Sequence, residues 1–206
     1  PESIRMFADK VGVAKRDNVI DLGLLEFCVR EHLNAIAPRT MAVLDPIKVV
    51  IENYPEGQVE WFDMPFSQDG SVEGSRKVPF SRELYIEASD FAEVPPPKFF
   101  RMKPGGEVRL MGAYIVRCDE VVKNDDGSIR ELRCTADLET GTGNPADGRK
   151  VKGTIHWISA DFARDIDIMM YDRLFTIPDI ASYTTSDHNV EEILEFVNKD
   201  SAKLLT

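Results

Sequence analysis

Cysteine is scarce in this chain. Cys28, Cys118 and Cys134 are odd in number, far apart and contain no Cys-x-x-Cys pair, which points to a reduced, cytoplasmic protein and excludes a disulfide scaffold. Histidine is equally sparse: His32, His156 and His188 share no metal-ligand spacing with one another or with the cysteines, so no metal site is expected. Positive charge is in deficit, with 25 Lys and Arg against 36 Asp and Glu and a net charge of -11. A general nucleic-acid binder would carry a basic domain instead. No apolar run approaches the roughly 18 residues of a membrane span, and no signal peptide opens the chain. A membrane partner is therefore not expected. The first residue is Pro1 rather than Met, so the sequence is expected to continue upstream.

What is present is enough for a sizeable core. The 206 residues, 43% of them hydrophobic, suffice for one large domain or two small ones. Acids crowd the end of the chain, where Asp161, Asp165, Asp167, Asp172, Asp179, Asp187, Glu191, Glu192, Glu195 and Asp200 outnumber Arg164, Arg173, Lys199 and Lys203. A local basic groove can coexist with such a tail, and RNA held there would bind with strong salt dependence. The stretch from Lys98 to Leu110 is the candidate. Lys98, Arg101, Lys103 and Arg109 can neutralise phosphates or fork onto base edges, and Phe99 and Phe100 offer flat faces to unpaired bases. Two Phe among scattered charges also fit the core anchors of a strand, and both readings stand.

The hydrophobic pattern divides the chain. Ile4, Phe7, Ala8 and Val11 recur at helical spacing, with Gly12 placed to end a short helix. The linker from Val13 supplies the cations Lys15 and Arg16, then Asp17 and Asn18 as caps for a second helix. That helix carries Leu22, Leu25, Val29 and Leu33 on one face and stops before Pro38. Beyond Pro38, strands are expected over Met41 to Tyr54, Val59 to Met64, Glu83 to Ile86, Val108 to Val122, Ile129 to Ala136, Val151 to Ile158 and Ile166 to Phe175. Asn124-Asp125-Asp126-Gly127 is a hairpin signal. Many short strands at this spacing favour a closed or nearly closed barrel. Ser186 or Asp187 can cap a last helix with Val190, Ile193, Leu194 and Val197 on its apolar face.

Catalytic patterns are missing. Gly141-Thr142-Gly143-Asn144-Pro145 lacks the order of a phosphate-binding loop and reads as a hairpin loop, and no Gly-x-Ser-x-Gly motif occurs. Arg149, Lys150 and Lys152, with His156 and Trp157 downstream, form a second basic and aromatic group. It reads either as an RNA-facing surface or as a strand with a solvated face and a buried Trp.

Five runs, in order, carry a resemblance: Arg30-Glu31-His32-Leu33-Asn34, Ala37 to Pro46, Val78-Pro79-Phe80-Ser81, Asp147 to Trp157, and Tyr171-Asp172-Arg173-Leu174-Phe175. Together they resemble the glutaminyl-tRNA synthetases of class I, whose archaeal and eukaryotic glutamyl relatives share the C-terminal architecture. The resemblance implies a mainly β fold in which N-terminal helices precede anticodon-binding β-barrels of a ribosomal-protein-like type. These barrels exchange strands, and the second is incomplete. It implies that residues 1–38 are a helical subdomain leading to an absent catalytic domain, residues 39–180 the barrel region and residues 181–206 a helix entering the truncated remainder. Signatures of the His-Ile-Gly-His and Lys-Met-Ser-Lys-Ser type are absent, so no catalytic residue and no cofactor are assigned here; ATP belongs to the parent ligase. The implied partner is glutamine-accepting tRNA, bound by a cytoplasmic monomer; the alternatives are the anticodon-binding region of a related glutamyl-tRNA synthetase and a stand-alone RNA-binding barrel.

By the same resemblance Arg39, Arg101 and Arg109 read unstacked anticodon bases, a task suited to forked guanidinium groups. Lys98 and Phe100 occupy neighbouring contact positions where well-known bacterial members carry Gln and Lys, and Phe100 can stack but cannot hydrogen-bond. Lys15 and Arg16 fall in the loop that reaches the inside of the tRNA elbow, Arg16 in place of an amide. Asn34 is assigned to the anticodon stem-loop. In the run Met64 to Asp69, where the family commonly continues from Met-Pro with Asn-His-Pro, Asp69 stands where some members carry Asn.

Overall fold

A computed structural model describes residues 1–145, 147–180 and 190–205. The chain folds as two compact units, one formed by Pro1–Ala37 with Asp165–Thr206 and the other by Pro38–Arg164.

The first unit opens with α1, Glu2–Val11, which ends where Gly12 takes a φ of 69° and donates its amide to the Ala8 carbonyl at 2.9 Å. Helix α2, Leu22–Ile36, begins later than its sequence signals suggest. Its cap is Asp21, whose carboxylate accepts the Gly23 amide at 2.7 Å, so the earlier Asp17 and Asn18 remain in the linker. Lys10 of α1 lies 5.4 Å from the centroid of the Phe27 ring on α2. Strands β10, Ile168–Tyr171, and β11, Ala202–Leu205, pair antiparallel. Arg173 grips the Glu26 carboxylate of α2 with two bonds of 3.0 Å, which attaches this C-terminal part to the helices. Helix α3 is confined to Val190–Leu194, and Val197, expected on its face, instead bridges to Phe175. The expected caps Ser186 and Asp187 lie outside the described residues.

Among its described residues the second unit contains nine strands: β1 Pro46–Ile51, β2 Glu60–Pro65, β3 Ser75–Phe80, β4 Glu83–Glu87, β5 Glu107–Leu110, β6 Ile115–Lys123, β7 Ile129–Asp137, β8 Thr154–Ile155 and β9 Ile158–Ser159. Seven of them form one sheet in the order β8-β5-β6-β7-β1-β4-β9, and β2 and β3 form a separate hairpin. The β1–β7 and β5–β8 pairs are parallel and the others antiparallel. The two edge strands, β8 and β9, are separated in sequence only by His156 and Trp157. One continuous stretch thus joins both edges and obliges the sheet to curl into an incompletely closed barrel.

Alternation along the strands fills the interior. Leu132, Cys134 and Ala136 of β7 and Val49 and Ile51 of β1 are buried. Trp157 is fully buried at the closure, and its indole N–H donates to the Met111 carbonyl at 3.0 Å. Phe80 lies edge-on to Tyr54, Tyr114 and Trp157 at centroid distances of 5.0, 5.2 and 5.1 Å. Each such pair contributes roughly 0.5 to 1.5 kcal/mol beyond its buried area.

The hairpin expected at Asn124 to Gly127 joins β6 to β7, with Gly127 at a φ of 84°. Elsewhere the pattern needed correction. The run Val108 to Val122 is cut by a turn at Gly112, φ 65°. The Met41 run becomes a strand only at Pro46. The loop around Gly141 is no hairpin, because it leaves β7 and enters β8, which pairs with β5. Strand β3 went unread because Pro79 lies within it; the strand tolerates Pro because it pairs with β2 alone.

Candidate nucleic-acid interface

The segment following Pro95-Pro96-Pro97 is a displayed loop. The Phe99 amide donates to the Pro96 carbonyl at 3.2 Å, and Lys98 has a φ of 65°, the only positive φ of a non-glycine residue among those described. This is the arrangement of a type II turn, with Pro97 first and Lys98 in the position usually given to glycine. Phe100 is 52% exposed. The loop is then fastened down at Met102, whose amide donates to the Asp90 carbonyl at 2.9 Å and whose carbonyl accepts the Ala92 amide at 3.1 Å. Asp90 also holds the Arg101 guanidinium through its carboxylate. Lys98, Phe100 and Arg101 thus share one anchored, solvent-facing loop.

A second chain segment supports that loop from behind. Gly153 passes so close that a Cβ on it would lie 2.0 Å from the Phe100 carbonyl oxygen. The Gly153 carbonyl accepts the Arg109 amide at 2.8 Å, joining the two segments to β5. Arg109 does not display its guanidinium as Arg101 does. It donates to the Ala113 carbonyl at 3.2 Å, to Gly141 at 3.5 Å and to Gly143, clasping the connection between β7 and β8.

Arg39 and Asp69 adjoin the loop from Phe66 to Gly74. The Arg39 amide donates to the Phe66 carbonyl at 2.9 Å, and its own carbonyl accepts the Arg76 guanidinium. Asp69 accepts the Ser71 hydroxyl at 2.7 Å and the Ser71 amide at 3.2 Å, bonds that hold its carboxyl down to about 2. Lys15, Arg16 and Asn34 belong to the other unit, the two cations on the exposed linker and Asn34 on the exposed surface of α2.

The second basic group divides. Arg149 is committed to three carboxylates, Asp137 at 2.5 Å, Asp147 at 2.9 Å and Glu107 at 3.0 Å. The bond to Asp137 is the largest cause of its raised pKa, and the same pair lowers that of Asp137. Lys150 and Lys152 are exposed and make no ion pair among the described residues. Sequence reasoning missed Asp90 and Gly153. A glycine between Lys152 and the β-branched Thr154 was the one available signal for a close backbone approach. No group of three or more potential metal ligands occurs among the described residues, and none of their helices is long and apolar enough to cross a membrane.

A half-closed barrel presents this basic and aromatic loop, and comparison with known proteins specifies the class of domain to which it belongs. Residues 37–137 match the family described as tRNA synthetases class I (E and Q), anti-codon binding domain, and the chain belongs to that family. Over its whole length it is 51% identical to a glutamine–tRNA ligase of Rhodopirellula baltica, covering 34% of that protein. Over 86% of its length it is 54% identical to the ligase of Bradyrhizobium diazoefficiens, covering 32%. It is also 48% identical, over its full length, to that of Pseudomonas aeruginosa, covering 36%. The chain spans about a third of the length of these relatives.

Proposed function

We propose that this chain is the tRNA-recognising portion of a glutamine–tRNA ligase, a cytoplasmic enzyme that joins glutamine to its tRNA at the expense of ATP. The observation that carries the proposal is the exposed Lys98, Phe100 and Arg101 loop inside the segment matched to the anticodon-binding family. Arg101 forks onto an anticodon base, Phe100 stacks beneath an unpaired one, and Lys98 neutralises a neighbouring phosphate. Arg39, whose backbone is bonded to Phe66 and Arg76 of the β2–β3 hairpin, contributes a further guanidinium. Arg109 serves the site by holding the loop behind it and reaches RNA only by exchanging its carbonyl partners. Lys15 and Arg16 contact the inside of the tRNA elbow and Asn34 the anticodon stem-loop, and all three contribute affinity rather than base discrimination. Asp69 accepts hydrogen bonds from ribose or base donors, as its anionic form requires.

In this reading residues 1–38 lead to the catalytic domain, 39–180 are the barrel region and 181–206 enter the remaining barrel. The protein acts as a monomer, and ATP is used by the parent ligase at none of the residues named here. The family embraces glutamate as well as glutamine enzymes, so a glutamyl-tRNA synthetase is the second reading. Binding of glutamine-accepting tRNA, compared with the same tRNA carrying altered anticodon bases, tests the proposal. Weaker binding of the altered tRNA is expected, and equal affinity for both overturns it.

A further inference from the structure

The extended run that carries Gly153 also carries an unassigned cation. Lys150, Lys152 and Thr154 face solvent, while Gly153 and Ile155 are buried, the alternation of a strand laid on the barrel. Lys152 projects to the face on which the Phe100 ring lies open, and its ammonium stands 5.4 Å from that ring's centroid. Among the described residues no carboxylate pairs with it. Asp90 is committed to Arg101, and Glu107, Asp137 and Asp147 to Arg149. In a chain with an excess of acids, this leaves a positive charge unneutralised beside an exposed aromatic ring.

We propose that Lys152 is an RNA-contacting residue, its ammonium seated over Phe100 to receive the phosphate of a nucleotide whose base packs on the open part of the ring. The ammonium is a compact point charge, suited to a phosphate oxygen rather than to the paired edge of a base. Its attraction to the ring is weak in water and grows when a ligand excludes water, so base packing and phosphate binding reinforce one another. The Gly153 approach makes the pairing of segments rigid, because it fixes the Lys152 backbone against the Phe100 backbone. The ligand class is a single-stranded ribonucleotide segment, and the inference rests on the anticodon-domain reading above.

The test uses the full-length protein and glutamine-accepting tRNA, with K152Q, K152R, F100A and the F100A/K152Q double variant, each measured across a salt series. K152Q is expected to weaken binding about tenfold and to reduce the salt slope by about 0.7 to 1, the contribution of one phosphate contact. K152R should retain most of the affinity, and the double variant should lose less than the product of the two single losses. An unchanged melting temperature for K152Q, an exposed substitution, assigns its effect to binding. Wild-type affinity and slope in K152Q, with anticodon discrimination intact, overturn this inference alone. Loss of discrimination in the wild-type protein overturns the anticodon reading and this inference with it.

Discussion

Asp90 and Arg101 form an ion pair of unequal burial, with side-chain exposures of 4% for the carboxylate and 51% for the guanidinium. The acid is the fixed partner. It closes the short 3-10 turn Ala88–Asp90, and its backbone carbonyl holds Met102. His156 Nδ1 lies 3.7 Å from its other carboxylate oxygen, and His156 Nε2 lies 2.9 Å from the Ala42 carbonyl. The guanidinium is therefore oriented from below while its outer edge stays available. Asp90→Asn and Arg101→Ala are each expected to reduce discrimination at one anticodon base by roughly 1 to 3 kcal/mol. The double variant should be no worse than either, because both changes disable one guanidinium. Stability should fall by only about 1 kcal/mol, since the arginine is half exposed and solvent screens the pair. Wild-type discrimination in Asp90→Asn would restrict Asp90 to a role in the fold.

Lys98 makes a second, opposite kind of prediction. A side chain at a φ of 65° in a glycine position of a turn is held against a local penalty of about 1 kcal/mol. Lys98→Gly should therefore raise the unfolding free energy by up to about that amount while weakening tRNA binding. Chemical denaturation and filter binding on the same preparation measure both. A variant that gains stability and keeps full affinity shows that Lys98 touches no RNA.

The contact between the β2–β3 hairpin and the barrel core has a pH signature. Tyr54 and Tyr114 both donate to one oxygen of Glu60, at 3.0 and 2.5 Å. Burial, then the bond to Glu60, pushes Tyr54 up to about 12 and raises Tyr114 as well. A phenol whose folded pKa lies above its unfolded value near 10 contributes stability that is complete below that pH. The contribution is lost as the pH climbs through the folded value. The stability difference between wild type and Tyr54→Phe is expected to shrink by about 2 kcal/mol between roughly pH 10 and 12. A constant difference across that interval would place the Tyr54 hydroxyl outside any linkage to folding.

Much of this architecture was legible in residues whose signals are local. Asn124 to Gly127 announced its hairpin because a left-handed glycine is required there, and Gly12 announced the end of α1 for the same reason. The order of the seven strands was not legible, because β1 pairs in parallel with β7 far along the chain and no local pattern records a register of that kind. The Lys98 to Arg101 stretch stood out by composition. Its support by Asp90 did not, since one acid among 36 acquires a meaning only when burial singles it out. Arg109 and Arg149 looked like open cations in sequence, yet carbonyls claim the first and carboxylates the second.

The contact between Gly153 and Phe100 is where fold and site meet most tightly. A Cβ at position 153 would lie 2.0 Å from the Phe100 carbonyl oxygen and 2.9 Å from its carbon, and both obstacles are backbone atoms that cannot rotate away. Gly153→Ala must therefore push the two segments apart. The movement also strains the 2.8 Å bond from the Arg109 amide to the Gly153 carbonyl, which anchors β8 to β5 at the sheet edge. A loss of roughly 1 to 3 kcal/mol in unfolding free energy is expected, the range for overpacking a tight site. Because β8 leads directly into β9 through Trp157, the loss should appear as reduced amide-exchange protection on both edge strands. Displacement of Phe100 should at the same time lower tRNA affinity more than Lys15→Ala does, and should do so for anticodon bases selectively. If Gly153→Ala is as stable as wild type, the close approach between the two backbones does not exist in solution.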